Sequence, residues 1–247
     1  MESIQIYLNS QNADKYFNGA ADCEYLLPLI EIPDGFHIYL SVVSCLIPYS
    51  FYNINNSNNV LQYSFDGVNL FTLTIPIGNY NVNSLLSVLK SNISPQFIIT
   101  YDNVKNKFTF THATNDFMFM SSSTCLQILG FNNNETIASN PSASLSLTSV
   151  NCANVYSIRT IQVNSNLITY NINKVQKNNF CILCSVPITC TPFSLIEYIN
   201  RTNFKTNLFL NRISNIKIKL TDDNGNLIDL NGCHYSLTLQ LDVISFT

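Results

Sequence analysis

Cys181-Ile182-Leu183-Cys184 is the one C-x-x-C of the chain; Cys190 follows six residues on, and Cys233-His234 lies near the end. Thiolates and an imidazole are the donors a tetrahedral zinc takes. A zinc knuckle holds its paired thiols on a turn, whereas this pair sits in an apolar run that reads as a strand. Residues three apart on a strand point to opposite faces, so Cys181 and Cys184 read as two buried thiols and not as ligands. A redox role fails similarly, because no βαβ pattern surrounds the pair and no helix N-terminus is there to lower a thiol pKa. His37, His112 and His234 each fall in or beside a strand, with no serine, cysteine or aspartate motif around them. The chain has no G-x-S-x-G, no H-E-x-x-H and, with seven glycines, little material for a phosphate-cradling loop. Asp222-Asp223 adjoins Asn224-Gly225 and reads as turn chemistry. Glu24 and Glu31 fall near the two ends of one strand, not as a facing carboxylate pair. Tyr16-Phe17, Tyr49, Phe51-Tyr52 and Phe193 place aromatics in loop-like segments, where such side chains pack cores or meet sugars and partner subunits. No catalytic, cofactor-binding or metal-ligating residue is assigned, and no cofactor is expected.

The elements that would have to position any site are strands. Period-two alternation, rich in Ile, Val, Thr, Tyr and Phe, marks Ser3–Leu8, Tyr25–Ile32, His37–Ile47, Val60–Phe65, Leu70–Ile75, Phe97–Tyr101, Lys107–Thr111 and Phe117–Met120. It returns at Ser144–Thr148, Tyr156–Val163, Phe180–Ile188, Leu195–Ile199, Ile216–Leu220 and Ser236–Ile244. Ile216-Lys217-Ile218-Lys219-Leu220 is the plainest case, and it runs into Asn224-Gly225, the mark of a tight hairpin. One stretch differs. Asn81 is placed to cap Val82, Leu85, Leu86 and Leu89, which predicts a helix over Val82–Ser91 ending before Pro95. A second short helix is expected over Ser123–Leu129.

The expected class is therefore mainly β: a sandwich with a small α+β domain inserted. Residues 1–59 and 141–247 form the two parts of the sandwich and residues 60–140 the insertion, with Asn132–Ser142 as its exit linker.

Composition bounds the rest. Of 247 residues, 46% are apolar and only 11% charged, the opposite of a disordered chain. So few charges leave a surface of uncharged polar and apolar groups, which suits a protein surrounded by neighbours. The net charge is −3 and the basic residues are scattered, so no basic face exists to grip nucleic acid. The start Met1-Glu2-Ser3-Ile4 carries no signal-peptide pattern, and Phe36–Ile54 and Cys181–Ile196 are broken by Pro48, Pro187 and Pro192. Synthesis in the cytosol, reduced cysteines and no membrane span are expected.

Taken in order, the chain resembles the penton (vertex, minor capsid) proteins of virophages and related polinton-like viruses. The likeness is carried by Tyr7-Leu8-Asn9-Ser10-Gln11-Asn12-Ala13, Tyr25-Leu26-Leu27-Pro28, Glu31-Ile32-Pro33-Asp34-Gly35-Phe36 and Ile47-Pro48-Tyr49-Ser50-Phe51-Tyr52. It continues through Ile75-Pro76-Ile77-Gly78-Asn79-Tyr80, Lys107-Phe108-Thr109-Phe110-Thr111, Leu129-Gly130-Phe131 and Phe204-Lys205-Thr206-Asn207-Leu208. The resemblance implies a single jelly roll with an inserted upper domain, assembling as a homopentamer at the five-fold vertex of a small icosahedral double-stranded DNA virus. It implies the virion as location, host cytoplasm as place of synthesis, and no catalytic residues. Neighbouring major-capsid trimers and a host or giant-virus surface are the further partners implied. Charged substitutions in the loops Tyr49–Ile54 or Thr202–Leu208 are then expected to block assembly and leave the monomer folded. A virion appendage or receptor- or carbohydrate-binding β-sandwich is the alternative, and a jelly-roll or cupin-like hydrolase a third reading that needs converging histidines or acids.

Overall fold

The computed structural model describes residues 2–33, 35–139, 145–156, 158–167 and 181–245. Asn140, Pro141 and Ser142 of the expected linker, with the domain boundary among them, and Ser144, Ser157 and Phe180 of expected strands lie outside the described residues. The chain divides into two compact units, residues 1–51 with 158–247 and residues 52–157.

In chain order, the first unit opens with β1 (Glu2–Asn9), β2 (Lys15–Tyr16), β3 (Asp22–Glu31) and β4 (Phe36–Pro48). The second unit holds β5 (Val60–Ser64), β6 (Phe71–Thr74), α1 (Val82–Asn92), β7 (Phe97–Asp102), β8 (Lys107–His112), β9 (Met118–Phe119), β10 (Ile137–Ala138) and β11 (Ser146–Thr148). The chain returns to the first unit with β12 (Thr160–Ser165), β13 (Cys181–Pro187), β14 (Leu195–Ile199), β15 (Thr206–Leu208), β16 (Arg212–Thr221) and β17 (Ser236–Ser245).

In the first unit, one sheet runs β1-β17-β4-β14, with β15 also on β4, and the other runs β13-β12-β16-β3-β2. Among the eight main strands, the first pairs the eighth, the eighth the third and the third the sixth. In the other sheet the second pairs the seventh, the seventh the fourth and the fourth the fifth. All these pairs are antiparallel. Two interlocked Greek keys of this order are a jelly roll. Alternation drives the burial. On β16, Ile216, Ile218 and Leu220 are fully buried, while Lys217 and Lys219 keep contact with water. Strands distant in sequence meet in one core: Leu8 of β1, Leu40 of β4, Val186 of β13 and Leu239 of β17 belong to the same cluster. Each such side chain contributes about 1.5–3 kcal/mol by leaving water. The turn after β16 closes as Asp222-Asp223-Asn224-Gly225 predicts. The Asp222 carboxylate accepts from the Asn224 amide at 2.9 Å and the Asn226 amide at 2.8 Å, with Gly225 at φ +83°.

The second unit has sheets β10-β9-β5-β6 and β11-β8-β7 around an aromatic core that includes Phe97, Phe108, Phe110, Phe117, Phe119 and Phe131. Helix α1 forms where the sequence places it. Asn81 and Ser84 cap each other reciprocally, and Leu85 and Leu89 are buried. This unit takes in more chain than residues 60–140 at both ends. Ile54 bridges Gly78, β11 pairs β8, and Val155 joins the aromatic core.

The expected second helix is absent. Ser123–Leu129 is a chain of turns in which Leu129 N–H to Cys125 O is the one helical backbone bond, and Gly130 N–H closes on Gln127 O instead. Seven residues ended by a positive-φ glycine do not offset helix nucleation, while Cys125, Leu126 and Leu129 gain their stability by full burial.

Candidate assembly surface

The chemistry-bearing residues are dispersed into structural roles. Cys181 lies opposite Ser165 and Cys184 opposite Val163, and neither is disulfide-bonded. Ser165 and Val163 share one side of β12, so the register puts both cysteines on one side of β13, not on two. Leu183 is an extra residue at a β-bulge there, and it resets the alternation. Burial pushes the Cys184 thiol well up, with Cys45 nearby adding to the shift; Cys45 and Cys125 are each pushed to about 12 by burial. Such thiols are not nucleophiles. Among the described residues, no three of His, Cys, Asp and Glu gather as a metal site would need.

His112 is buried beside Phe65 and Phe97, with ring centroids 4.8 and 4.9 Å away. Its Nδ1 accepts from the amides of Asn115 (3.0 Å) and Thr114 (3.4 Å), which places the proton on Nε2, 3.1 Å from Gln96 Oε1. Every position on the ring is used by the neutral form. Burial holds the His112 pKa below its ordinary value. The folded state therefore binds fewer protons than the unfolded state just below pH 6.5, and stability falls as pH drops through that window. His112→Asn should flatten this loss: the urea midpoint of the variant should change less between pH 7 and pH 5 than that of the parent. An unchanged slope would remove His112 as the cause.

The exposed His234 reaches with Nδ1 to Oγ of the buried Ser10 at 3.1 Å, and His37 lies in β4 opposite Ile244. Glu24 accepts from Asn215 Nδ2 at 2.7 Å and pairs Lys217 at 3.8 Å; Glu31 pairs Arg212 at 3.2 Å. Asp223 accepts from the Thr160 hydroxyl. No two acids of these face one another. The Phe17 ring meets the ammonium groups of both Lys15 (4.7 Å from its centroid) and Lys217 (4.9 Å). Tyr16 donates to Ser10 O at 2.6 Å.

Tyr49, Phe51 and Ile54 correct an expectation. All three are buried, with Tyr49 and Phe51 stacked at 4.5 Å. Charge placed at these buried positions is expected to destabilise the monomer itself. In Thr202–Leu208 the same holds for Thr206 and Leu208, which pair β4 from the inside; only Thr202, Asn203 and Phe204 are exposed.

What remains is a face. Cross-strand partners on the outer side of the β1-β17-β4-β14 sheet form three rows: Tyr7–Thr238–Ser44–Ile199, Asn9–Ser236–Leu46–Glu197 and Pro48–Leu195. Tyr7 is 74% exposed, Leu195 61% and Ile199 49%, and Phe193, at the entry to β14, is 82% exposed with φ +68°. Their strand neighbours Leu8, Ile47 and Ile196 point into the core. The outer side of the opposite sheet adds charge to its apolar groups: Lys217, Lys219 and Glu24 stand there beside the exposed Leu26 and Leu29 on β3. Apolar side chains on both parities of a strand mean that both faces are meant to be covered. Leu195-Ile196, Leu46-Ile47 and Ile6-Tyr7-Leu8 carry that signal in the sequence.

The described residues thus form a jelly-roll sandwich that carries an exposed apolar patch, Tyr7, Leu46, Leu195 and Ile199, among polar residues on the outer side of one sheet. This fold is that of the mavirus penton protein: the match has a TM-score of 0.52 and spans 99% of this chain and 100% of that one, at 10% sequence identity. The VP16–VP17 complex, two major capsid proteins of bacteriophage P23-77, matches at a TM-score of 0.16 and 9% identity, covering 99% and 100% of the two chains, too low to speak for a shared fold. No protein-family model and no curated protein sequence matches the chain.

Proposed function

We propose that the protein is a structural capsid protein that forms the homopentameric five-fold vertex of a small icosahedral virus, with no turnover of its own. The observation that carries this reading is the apolar outer face around Leu195, Ile199, Leu46 and Tyr7, on a fold shared with a penton protein. A ring closes when one patch of each copy meets a different patch of the next through a rotation of one fifth of a turn. The patch of Leu195, Ile199, Leu46 and Tyr7 on one sheet and the Lys217, Lys219 and Glu24 cluster on the other supply two unlike patches. Residues 52–157 form a domain inserted in the chain between the third and fourth strands of the jelly roll. Surrounding major-capsid trimers are the neighbours at the rim.

The reading is tested by the mass of the native assembly and by Leu195→Asp. The parent protein is expected as a species of five times 27.8 kDa. Leu195 is mostly in water in the monomer, so aspartate there should leave the unfolding free energy within about 0.5 kcal/mol of the parent. In an interface core the same change leaves a buried unpaired charge, and association should weaken by two orders of magnitude or more, on the order of 3 kcal/mol. An assembly of another number, or a pentamer indifferent to L195D, would set aside the ring or the face respectively.

A further inference from the structure

The β5–β6 hairpin of the second unit ends in a cleft that the assembly does not call upon. Phe65, Asp66, Asn69, Leu70 and Phe71 line a space of about 410 Å³, inside the usual size range of small-molecule sites. Its floor is aromatic. Phe71 lies nearly parallel to Tyr63 (18°, centroids 5.3 Å apart) and edge-on to Phe65 (5.3 Å), yet remains 44% exposed. Tyr63, Phe97 and His112 back these rings, so they are held in place without the ligand. The rim is polar and fixed. Asp66 Oδ1 accepts from the amides of Val68 (2.9 Å) and Asn69 (2.8 Å) and from Ser64 Oγ (3.1 Å), while Oδ2 accepts only Asn69 Nδ2, at 2.6 Å. One carboxylate oxygen thus keeps acceptor capacity, beside an amide with a further N–H and a carbonyl oxygen to offer. The backbone amides of Val68 and Asn69 hold the Asp66 pKa far below its ordinary value, so the acceptor is constant at any physiological pH.

We propose that this cleft binds a neutral saccharide, with a sugar ring laid on the exposed face of Phe71 and vicinal hydroxyls bonded to Asp66 and Asn69. An aromatic face takes the C–H side of a pyranose, and a carboxylate next to a carboxamide matches the donor–acceptor edge of a diol. Among the described residues no lysine or arginine lines the cleft, and a fixed carboxylate repels anions, so acidic sugars are disfavoured. A quaternary ammonium group would use the rings and the charge but leave the Asn69 amide without a role. This inference does not rest on the vertex reading, since a cleft within one unit works in a monomer or a pentamer.

The test is an NMR titration of the full chain with the methyl glycosides of galactose, glucose, mannose and N-acetylglucosamine, with sialic acid and choline alongside. Saturable shifts at the amides of Asp66–Phe71 with at least one neutral glycoside are expected, at a roughly millimolar Kd. Phe71→Leu, which keeps apolar bulk but no ring, and Asn69→Ala should each weaken binding by at least about tenfold. Val104→Ser, on an exposed turn of the same unit, should not. Circular dichroism of the two cleft variants separates lost binding from lost folding. No shift with any neutral glycoside, shifts with choline or sialic acid alone, or binding unchanged in both cleft variants would overturn the proposal.

Discussion

Replacing Lys205 by methionine is expected to cost about 3–5 kcal/mol of stability at neutral pH, a loss far larger than surface ion pairs give. Asp242 stands on the outer side of β17 but is fully buried, with the Lys205 ammonium paired to its carboxylate. Its carboxylate accepts from the Lys205 ammonium, from Ser3 Oγ at 2.5 Å and from Gln240 Nε2 at 2.9 Å. Burial alone would raise the Asp242 pKa; Lys205, Ser3 and Gln240 outweigh it and hold the value below the ordinary one. In the parent, this pair therefore adds stability above pH 3.9 that is lost as pH falls through the depressed pKa. Without the ammonium, Ser3 and Gln240 are left to oppose burial, and the folded-state pKa is expected to rise above the unfolded value. Stability of K205M should then decline as pH rises through that raised pKa, opposite to the parent. Denaturant titrations at pH 5 and pH 7.5 distinguish the two signs. The double variant K205M/D242N should recover much of the loss, because it leaves no unpaired charge. A K205M protein as stable as the parent at pH 7.5 would show that Asp242 is solvated.

The second large effect is expected at Gly130. Its φ is +84°, and a Cβ built there would stand 2.4 Å from Asn151 O and 3.0 Å from Cys152 O, both backbone. The neighbouring chain cannot retreat, because Asn151 N–H donates to Gly130 O at 2.8 Å. Gly130→Ala should cost at least about 3 kcal/mol, the sum of left-handed strain and a backbone clash. Gly225→Ala isolates the two parts. That residue has almost the same φ, +83°, with nothing within 4 Å of the added carbon, so it should cost only about 1 kcal/mol. Equal losses in the two variants would mean that strain alone acts at Gly130.

These two sites mark the border of what the sequence states. The alternation of Ile216 to Leu220 and the capped repeat from Asn81 to Leu89 are local, and both elements stand where their patterns put them. Gly130-Phe131 was legible as an end, but the turns before it were not, since burial of Cys125, Leu126 and Leu129 suits a helix or an irregular turn equally. The strands β2, β10 and β15 have two or three residues, too few for any period. The bulge at Leu183 changes no residue type, yet it brings Cys181 and Cys184 to one side of β13. Tyr49 and Phe51 carry the composition of a binding loop and the burial of a core. The apolar face around Leu195 was written in the sequence as strands apolar on both parities, but a sandwich core and an intersubunit contact leave the same mark. The β5–β6 cleft depends on Asp66 folding back onto its own loop, which no spacing reveals.

The central claim is positional, and a reconstruction of virus particles that contain this chain tests it most directly. Density for five copies is expected around each five-fold axis, with the jelly-roll face of Leu195, Ile199 and Tyr7 covered by a neighbouring copy. Density for this chain at any other position in the shell, or five copies with that face open to solvent, would contradict it.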